Sequence, residues 1–123
     1  MPGFVSLESK LALKSRPIEV LGAPKSFPVQ SSPRQEGDTA LLVFASDRAA
    51  LARQLQRIVA SASADRLTWV AYPKGGQLGT DLNRDSLAAL LREHGIRPVT
   101  QIALDETWSA LRFRPGLAER RAP

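Results

Sequence analysis

A glycine-rich stretch at residues 74–80, with the sequence KGGQLGT, contains the residue types best suited to binding a ligand. It follows a short apolar segment and precedes an amphipathic one. A glycine-rich loop that leaves a strand and enters a helix presents free backbone N–H groups beside the positive end of the helix dipole, which favours an anion. The pattern therefore predicts a binding loop, called the glycine loop below, in which the candidate residues are Lys74, Gly75, Gly76 and Thr80.

The residue order in the glycine loop differs from that of a phosphate-binding P-loop. A P-loop places its lysine and hydroxyl after the last glycine, whereas Lys74 precedes the glycines here and Asp81 follows them. A flexible connector would have the same composition. Anion binding and simple connection are therefore both open interpretations.

Polar residues are dense where the following helix is predicted to start. Asn83 suits an N-cap, Asp85 is favoured by the helix dipole, and Arg84 can pair with a nearby carboxylate, so a structural role explains most of the cluster. Asp81 and Arg84 also stand beside the glycine loop. Both are kept as candidate binding residues.

The segment from residue 105 to 112 holds two further candidates. Asp105 and Glu106 are adjacent carboxylates, but neighbouring strand residues point to opposite faces and tight turns recruit acidic residues, so a turn is favoured over acid and base catalysis. Trp108 could form a surface contact together with Arg112, or it could belong to the core. Both residues are included in the candidate binding surface.

Metal and nucleophilic chemistry have little support in this sequence. The chain has no cysteine and a single histidine, His94, which excludes disulfides and cysteine-ligated zinc. We predict that His94 lies near the inner face of a helix, hydrogen-bonded at its C-terminus. No catalytic residue, metal ligand or cofactor is predicted, and the chain is not assigned as an enzyme.

The hydrophobic pattern predicts the elements that position these candidates. A stripe of apolar residues from Leu51 to Ala62 predicts one crossover helix, which Ser46 or Asp47 can cap. Gly95 should end the helix that Asn83 begins. Three residues separate the last two strands, which therefore form a hairpin, and apolar alternation in the last one suits an antiparallel edge strand with one solvent face. The predicted strands are 17–23, 40–45, 67–72, 99–104 and 108–114.

These elements predict a single small Rossmann-like α/β domain at residues 17–114, with a mainly parallel sheet, helices and a C-terminal antiparallel strand pair. Residues 1–16 are an N-terminal segment, 25–38 an irregular connection, and 115–123 a flexible basic tail. The second half resembles in topology the C-terminal half of Rossmann-like methyltransferases. A cofactor-binding version would need several glycines after the first strand, whereas VLGAPKSF offers one, followed by proline.

The charge and composition of the chain limit the classes of partner and the location that can be predicted. The 123 residues carry a formal charge of +5, but the basic residues are spread over both termini and one helix, which includes Arg48, Arg53 and Arg57. This distribution supports only weak, salt-sensitive association with polyanions. The chain shows no signal peptide and no apolar run of membrane-spanning length, which predicts a cytoplasmic protein.

Three segments, WVAYPK, TDLNRDSL and DETWSALRFR, resemble the sequence of a family of small bacterial proteins that is defined only as a domain of unknown function. The similarity covers residues 69–114 closely, and VLGAP and LLVFAS more loosely. It implies a single-domain cytoplasmic bacterial protein and carries no established activity to any residue.

The leading hypothesis from the sequence is a non-catalytic binding or accessory module. Its sheet edge would engage a protein partner or a small anionic ligand. A transferase-like enzyme with an altered Rossmann-type cofactor site is the alternative, and a weakly nucleic-acid-associated protein is a third.

Overall fold

The computed structural model describes Leu11 and residues 17–24 and 39–116 of the chain. The predictions for the rest of the N-terminal segment, for residues 25–38 and for the tail beyond Gly116 lie outside the described residues. The strands are β1 (Ile18–Leu21), β2 (Ala40–Phe44), β3 (Thr68–Pro73), β4 (Ile96–Ala103) and β5 (Trp108–Pro115), and the helices are α1 (Arg48–Arg53), α2 (Leu55–Ser63) and α3 (Arg84–Arg92).

The five strands form one mixed sheet in the order β1-β2-β3-β5-β4. β1 pairs with β2 and β2 with β3 in parallel, whereas β5 pairs antiparallel with both β3 and β4. The α/β class and the C-terminal hairpin are confirmed. The prediction of a mainly parallel sheet is wrong, because β5 returns from its hairpin into the space between β3 and β4 and makes two antiparallel pairings.

The position of β5 also corrects its prediction as an edge strand. Leu111 and Phe113 face the helices, while Trp108 and Ala110 pack on the opposite side, so both faces of β5 are covered. A strand with two apolar faces is stable only inside a sheet. The edge strand on this side of the sheet is β4, whose residues 99–101 are exposed.

β4 begins earlier than the predicted strand, because an edge position tolerates Pro98. Proline donates no ladder hydrogen bond and is accepted at sheet edges. The register shifts between Pro98 and Thr100, which marks a bulge.

The predicted crossover helix is divided into two. Gln54 has φ −110° and ψ 7°, which ends α1 and starts α2. Of the two predicted caps, Asp47 is the one that caps α1, by accepting a hydrogen bond from the N–H of Ala50 at 2.8 Å. The second predicted helix, α3, is confirmed with Asn83 as its N-cap, and Gly95 at φ +86° follows its end.

The two faces of the sheet have separate cores. All three described helices pack on one face, over strand residues such as Val43, Val70 and Phe113. The other face contains Phe44, Trp69 and Trp108, and here Trp69 Nε1–H donates to the carbonyl oxygen of Leu11 at 2.9 Å. Among the described residues, no helix is both long and apolar enough to cross a lipid bilayer.

Candidate functional site

The carboxyl ends of β2 and β3 lie at one edge of the sheet, and two connections to helices leave from this edge. Residues 45–47 lead from β2 to α1, and residues 74–83 lead from β3 to α3. The hairpin turn between β4 and β5 reaches the same edge, because Pro73 is paired with Trp108. The glycine loop, the polar cluster before α3 and the hairpin turn are therefore neighbours.

The glycine loop has an unusual backbone. Residues Lys74–Gly79 form a tight coil in which Gly75, Gly76 and Gly79 have φ of +54°, +77° and +66°. Leu78 has φ +59°, in the left-handed region that glycine adopts readily and leucine does not. The side chain of Leu78 is 67% exposed, so the loop presents an apolar residue to solvent.

Hydrogen bonds join this loop to the hairpin turn. The backbone N–H of Lys74 donates to the carbonyl oxygen of Thr107 at 2.8 Å, and Gln77 Nε2 donates to the carbonyl oxygen of Glu106 at 3.1 Å. The hydroxyl of Thr80 accepts from the N–H of Leu82 at 3.0 Å. Thr80 thus supports the end of the loop rather than offering its hydroxyl to a ligand.

Asp81 ties the long connection to the neighbouring helix. Its Oδ1 accepts from the backbone N–H of Arg48 at 2.8 Å, and its carbonyl oxygen accepts from Arg48 Nε at 3.2 Å. Together with Asp47, this carboxylate satisfies N–H groups of the first turn of α1. Asp81 therefore has a structural role at the start of a different helix.

The start of α3 is also satisfied within the protein. Asn83 Oδ1 accepts from the N–H of Ser86 at 2.8 Å, and Ser86 Oγ accepts from the N–H of Asn83 at 3.0 Å, which forms a reciprocal capping box. Arg84 contacts Asp85 at 3.4 Å, and both side chains are largely exposed. Asn83 as cap and Arg84 as partner of a carboxylate are thus confirmed.

Trp108 lies in the core rather than on the surface. Its side chain is 7% exposed and packs edge-to-face on Phe44, with ring centroids 5.0 Å apart. Arg112, opposite Trp69 in the ladder, is half-buried. The structure therefore removes Trp108 from the candidate binding surface.

Asp105 forms the hairpin turn, as favoured from the sequence. Its Oδ1 accepts from the N–H groups of Thr107 and Trp108, both at 2.8 Å. A carboxylate used in this way shapes a turn. His94 differs from its prediction, because α3 ends at Arg92 and the histidine is exposed in the turn that follows.

Two polar contacts near the sheet were not predicted. Tyr72, at the end of β3, is 4% exposed, and its hydroxyl accepts a hydrogen bond from Gln101 Nε2 at 3.1 Å. Burial raises the pKa of Tyr72, and a hydrogen bond with Ser109 partly opposes this. Arg114 makes a two-point contact with Asp65 at 3.0 and 2.9 Å, which lowers the pKa of that carboxyl group.

Comparisons with known proteins do not identify the site. No protein-family model, curated protein or solved structure matches the chain. Within the described residues, no group of three histidine, cysteine, aspartate or glutamate side chains is placed to hold a metal ion. The functional interpretation therefore depends on the geometry of the carboxyl edge.

That geometry places five of the candidates in one connection and Arg84 at the start of the helix that follows, and it leaves Trp108 and Arg112 in the sheet beside them. The five are Lys74, Gly75, Gly76, Thr80 and Asp81. Sequence reasoning missed Leu78, the most exposed large apolar side chain of the described residues. The only signal for it was an isolated leucine within a glycine-rich segment. No local preference predicts a left-handed leucine.

Proposed function

We propose that this protein is a non-catalytic binding module and that its glycine loop engages a protein partner at the carboxyl edge of the sheet. One observation carries the proposal: Leu78 is 67% exposed and left-handed on a loop whose ends are hydrogen-bonded. An apolar side chain held on a fixed loop is suited to insertion into a pocket of a partner.

Energetics support a role for Leu78 outside the fold. A left-handed backbone at a residue other than glycine costs about 1–3 kcal/mol, and such strain clusters at functional sites. Burial does not offset the cost here, because the side chain is mostly in solvent. Glycine would adopt this conformation without strain, so a leucine at this position is better explained by binding than by stability.

The surroundings of the loop favour a partner that approaches from solvent. A Cβ added at Gly75, Gly76 or Gly79 would meet no atom within 4 Å. These glycines are therefore needed for their backbone conformation and not for close packing inside the protein. The space around them is open to a partner.

A small anion is a weaker occupant of the same edge. Asp47 and Asp81 already accept the N–H groups at the start of α1, and Asn83 and Ser86 cap each other at the start of α3. An anion would have to displace these contacts and approach the carboxylates of Asp47 and Asp81. The protein-binding version of the hypothesis avoids both costs.

The transferase alternative has one topological support. As in the Rossmann-like methyltransferases, the sheet finishes in a helix followed by an antiparallel strand pair. The glycine after β1 has a structural explanation, however, because a Cβ at Gly22 would lie 2.8 Å from the carbonyl oxygen of Phe44. Its presence adds nothing to the case for a cofactor.

Affinity capture from a lysate of the source organism tests the proposal. We expect the unmodified protein to enrich a protein that is lost with Leu78→Ser. Val99→Ser is the matched control, because Val99 is the other exposed large apolar residue of the described chain, at 38%, and lies on the edge strand β4. Equal capture by both variants, each shown to be folded by circular dichroism, would contradict the proposal.

A further inference from the structure

A cleft of about 860 Å³ lies between the helix pair α1–α2 and the strands β1 and β2. Its walls include Thr39 at the start of β2 and Arg66 just before β3, so it opens toward the amino ends of the strands. No residue of the glycine loop lines it. A ligand in this cleft would not touch the carboxyl edge.

The cleft has an excess of positive charge. Among the described residues, Arg53, Arg57 and Arg66 line it, and Glu19 is the one acidic residue of the lining. Arg57 pairs with Glu19, whereas the guanidinium groups of Arg53 and Arg66 form no ion pair with any described residue. Guanidinium groups bind phosphate and carboxylate oxygens through paired hydrogen bonds. The two remaining arginines can therefore take part in holding an anion.

The spacing of two arginines adds to this argument. Arg53 ends α1 and Arg57 lies in the first turn of α2, and both line the same cleft. The two side chains carry the same charge and line one cleft, so they repel each other. An anion bound between them would remove that repulsion, and Glu19 is placed to neutralise only Arg57.

The rest of the lining suits an organic group. Ala52, Leu55, Ala60 and Ala64 supply small apolar surface, and Gln56 and Thr39 add polar groups. The cleft is open to solvent, since Ala52, Gln56 and Ala60 are exposed, but its volume is much larger than a single phosphate requires. The lining therefore fits an anion that also carries an aromatic ring.

We propose that this arginine cleft binds a small phosphorylated organic anion of nucleotide size. Its phosphate groups would contact Arg53 and Arg66, and its ring would lie against the alanine-rich wall of α1 and α2. This site is independent of the proposed protein-binding loop, because the two lie at opposite ends of the sheet strands.

Isothermal titration calorimetry with ATP and with inorganic tripolyphosphate, at fixed ionic strength, tests the site. We expect ATP to bind more tightly than tripolyphosphate, because only ATP has a ring to bury. Arg53→Gln and Arg66→Gln should each weaken ATP binding by about tenfold, which is the loss of one charge-assisted contact. Arg92→Gln is the matched control, since it removes one exposed charge from α3, outside the cleft.

Several outcomes would overturn the proposal. They are no heat of binding at millimolar ATP, equal weakening by Arg92→Gln, and tripolyphosphate binding as tight as that of ATP. Equal weakening would mean attraction to the general positive charge of the protein. Because both cleft variants keep Leu78, failure here leaves the affinity capture by the glycine loop unaffected, and the two proposals are tested separately.

Discussion

Two connections in this molecule perform the same task with very different lengths. The connection from β2 to α1 has three residues, 45–47, whereas that from β3 to α3 has ten, 74–83. Both start at the carboxyl edge of the same sheet and lead to helices on the same face. The short connection shows that three residues, with Asp47 as the cap, are enough for this task.

The difference indicates what the extra residues are for. Connections between strands and helices in α/β proteins commonly have 2–6 residues, and longer ones are often functional. In the long connection, Asn83 caps the helix as Asp47 does in the short one, and the added residues form the glycine loop that presents Leu78. The fold requires the cap, whereas the loop is best explained by binding.

The largest expected effect concerns the core from which both connections leave. Trp69→Ala should destabilise the protein by about 3–5 kcal/mol, since its ring is 1% exposed and its Nε1–H donates to Leu11. Trp108→Ala should cost nearly as much, because Trp108 packs on Phe44 at the base of both connections. Urea unfolding of both variants measures this. A cost for Trp108→Ala close to that of a surface substitution would contradict the buried placement.

Two carboxylates at the start of α1, one from each connection, should contribute similar, smaller amounts. Asp47→Ala and Asp81→Ala each remove a carboxylate that accepts a backbone N–H of the first turn of α1, and each should cost about 0.5–2 kcal/mol. Thermal unfolding of the single and double variants provides the comparison. If Asp81→Ala has no effect, the Asp81 carboxylate does not fix the long connection to α1.

Leu78→Gly separates stability from binding within the long connection. Relief of the left-handed strain should stabilise the protein by up to about 1 kcal/mol, after the greater freedom of glycine in the unfolded chain is included. The matched change in the short connection, Ala45→Gly, should destabilise, because Ala45 is fully buried. The urea midpoints of unfolding of both variants measure these two changes in stability. Destabilisation by Leu78→Gly would show that the leucine stabilises the folded protein.

The smallest expected effect is a pH dependence at the end of β3, where the long connection begins. Burial raises the pKa of Tyr72 above its ordinary value of 10.0 in the folded state. The corresponding stability is fully present below that ordinary pKa and is lost as the pH rises through the raised one. Tyr72 is the single tyrosine, so tyrosinate absorbance reports it alone. Titration at the ordinary pKa in the folded protein would mean that the end of β3 is open to water.

Local pattern predicted the elements of this fold well. The apolar runs of β2 and β3, the caps at Asp47 and Asn83, and the stop at Gly95 depend on neighbouring residues only, and all were confirmed. The mixed sheet was missed because the sequence does not state which strand β5 will pair with. For the same reason, β5 was predicted as an edge strand, and the sequence did not decide whether Trp108 is buried.

The candidate site was predicted in position but not in detail. The glycine loop was found from its composition, yet its contacts are between distant parts of the chain. Asp81 reaches Arg48, 33 residues away, and Gln77 reaches Glu106, 29 residues away. The left-handed conformation of Leu78 is opposed by its own backbone preference, so no pattern in the sequence could reveal it.

The most direct test of the central claim is photocrosslinking in living cells of the source organism. A photoactivatable amino acid at position 78 is compared with the same amino acid at position 89, an exposed site on α3. The account predicts a discrete crosslinked protein at position 78 that is absent at position 89 and is suppressed by excess unmodified protein. The same crosslinks from both positions, or none from position 78, would contradict a protein-binding role for the glycine loop.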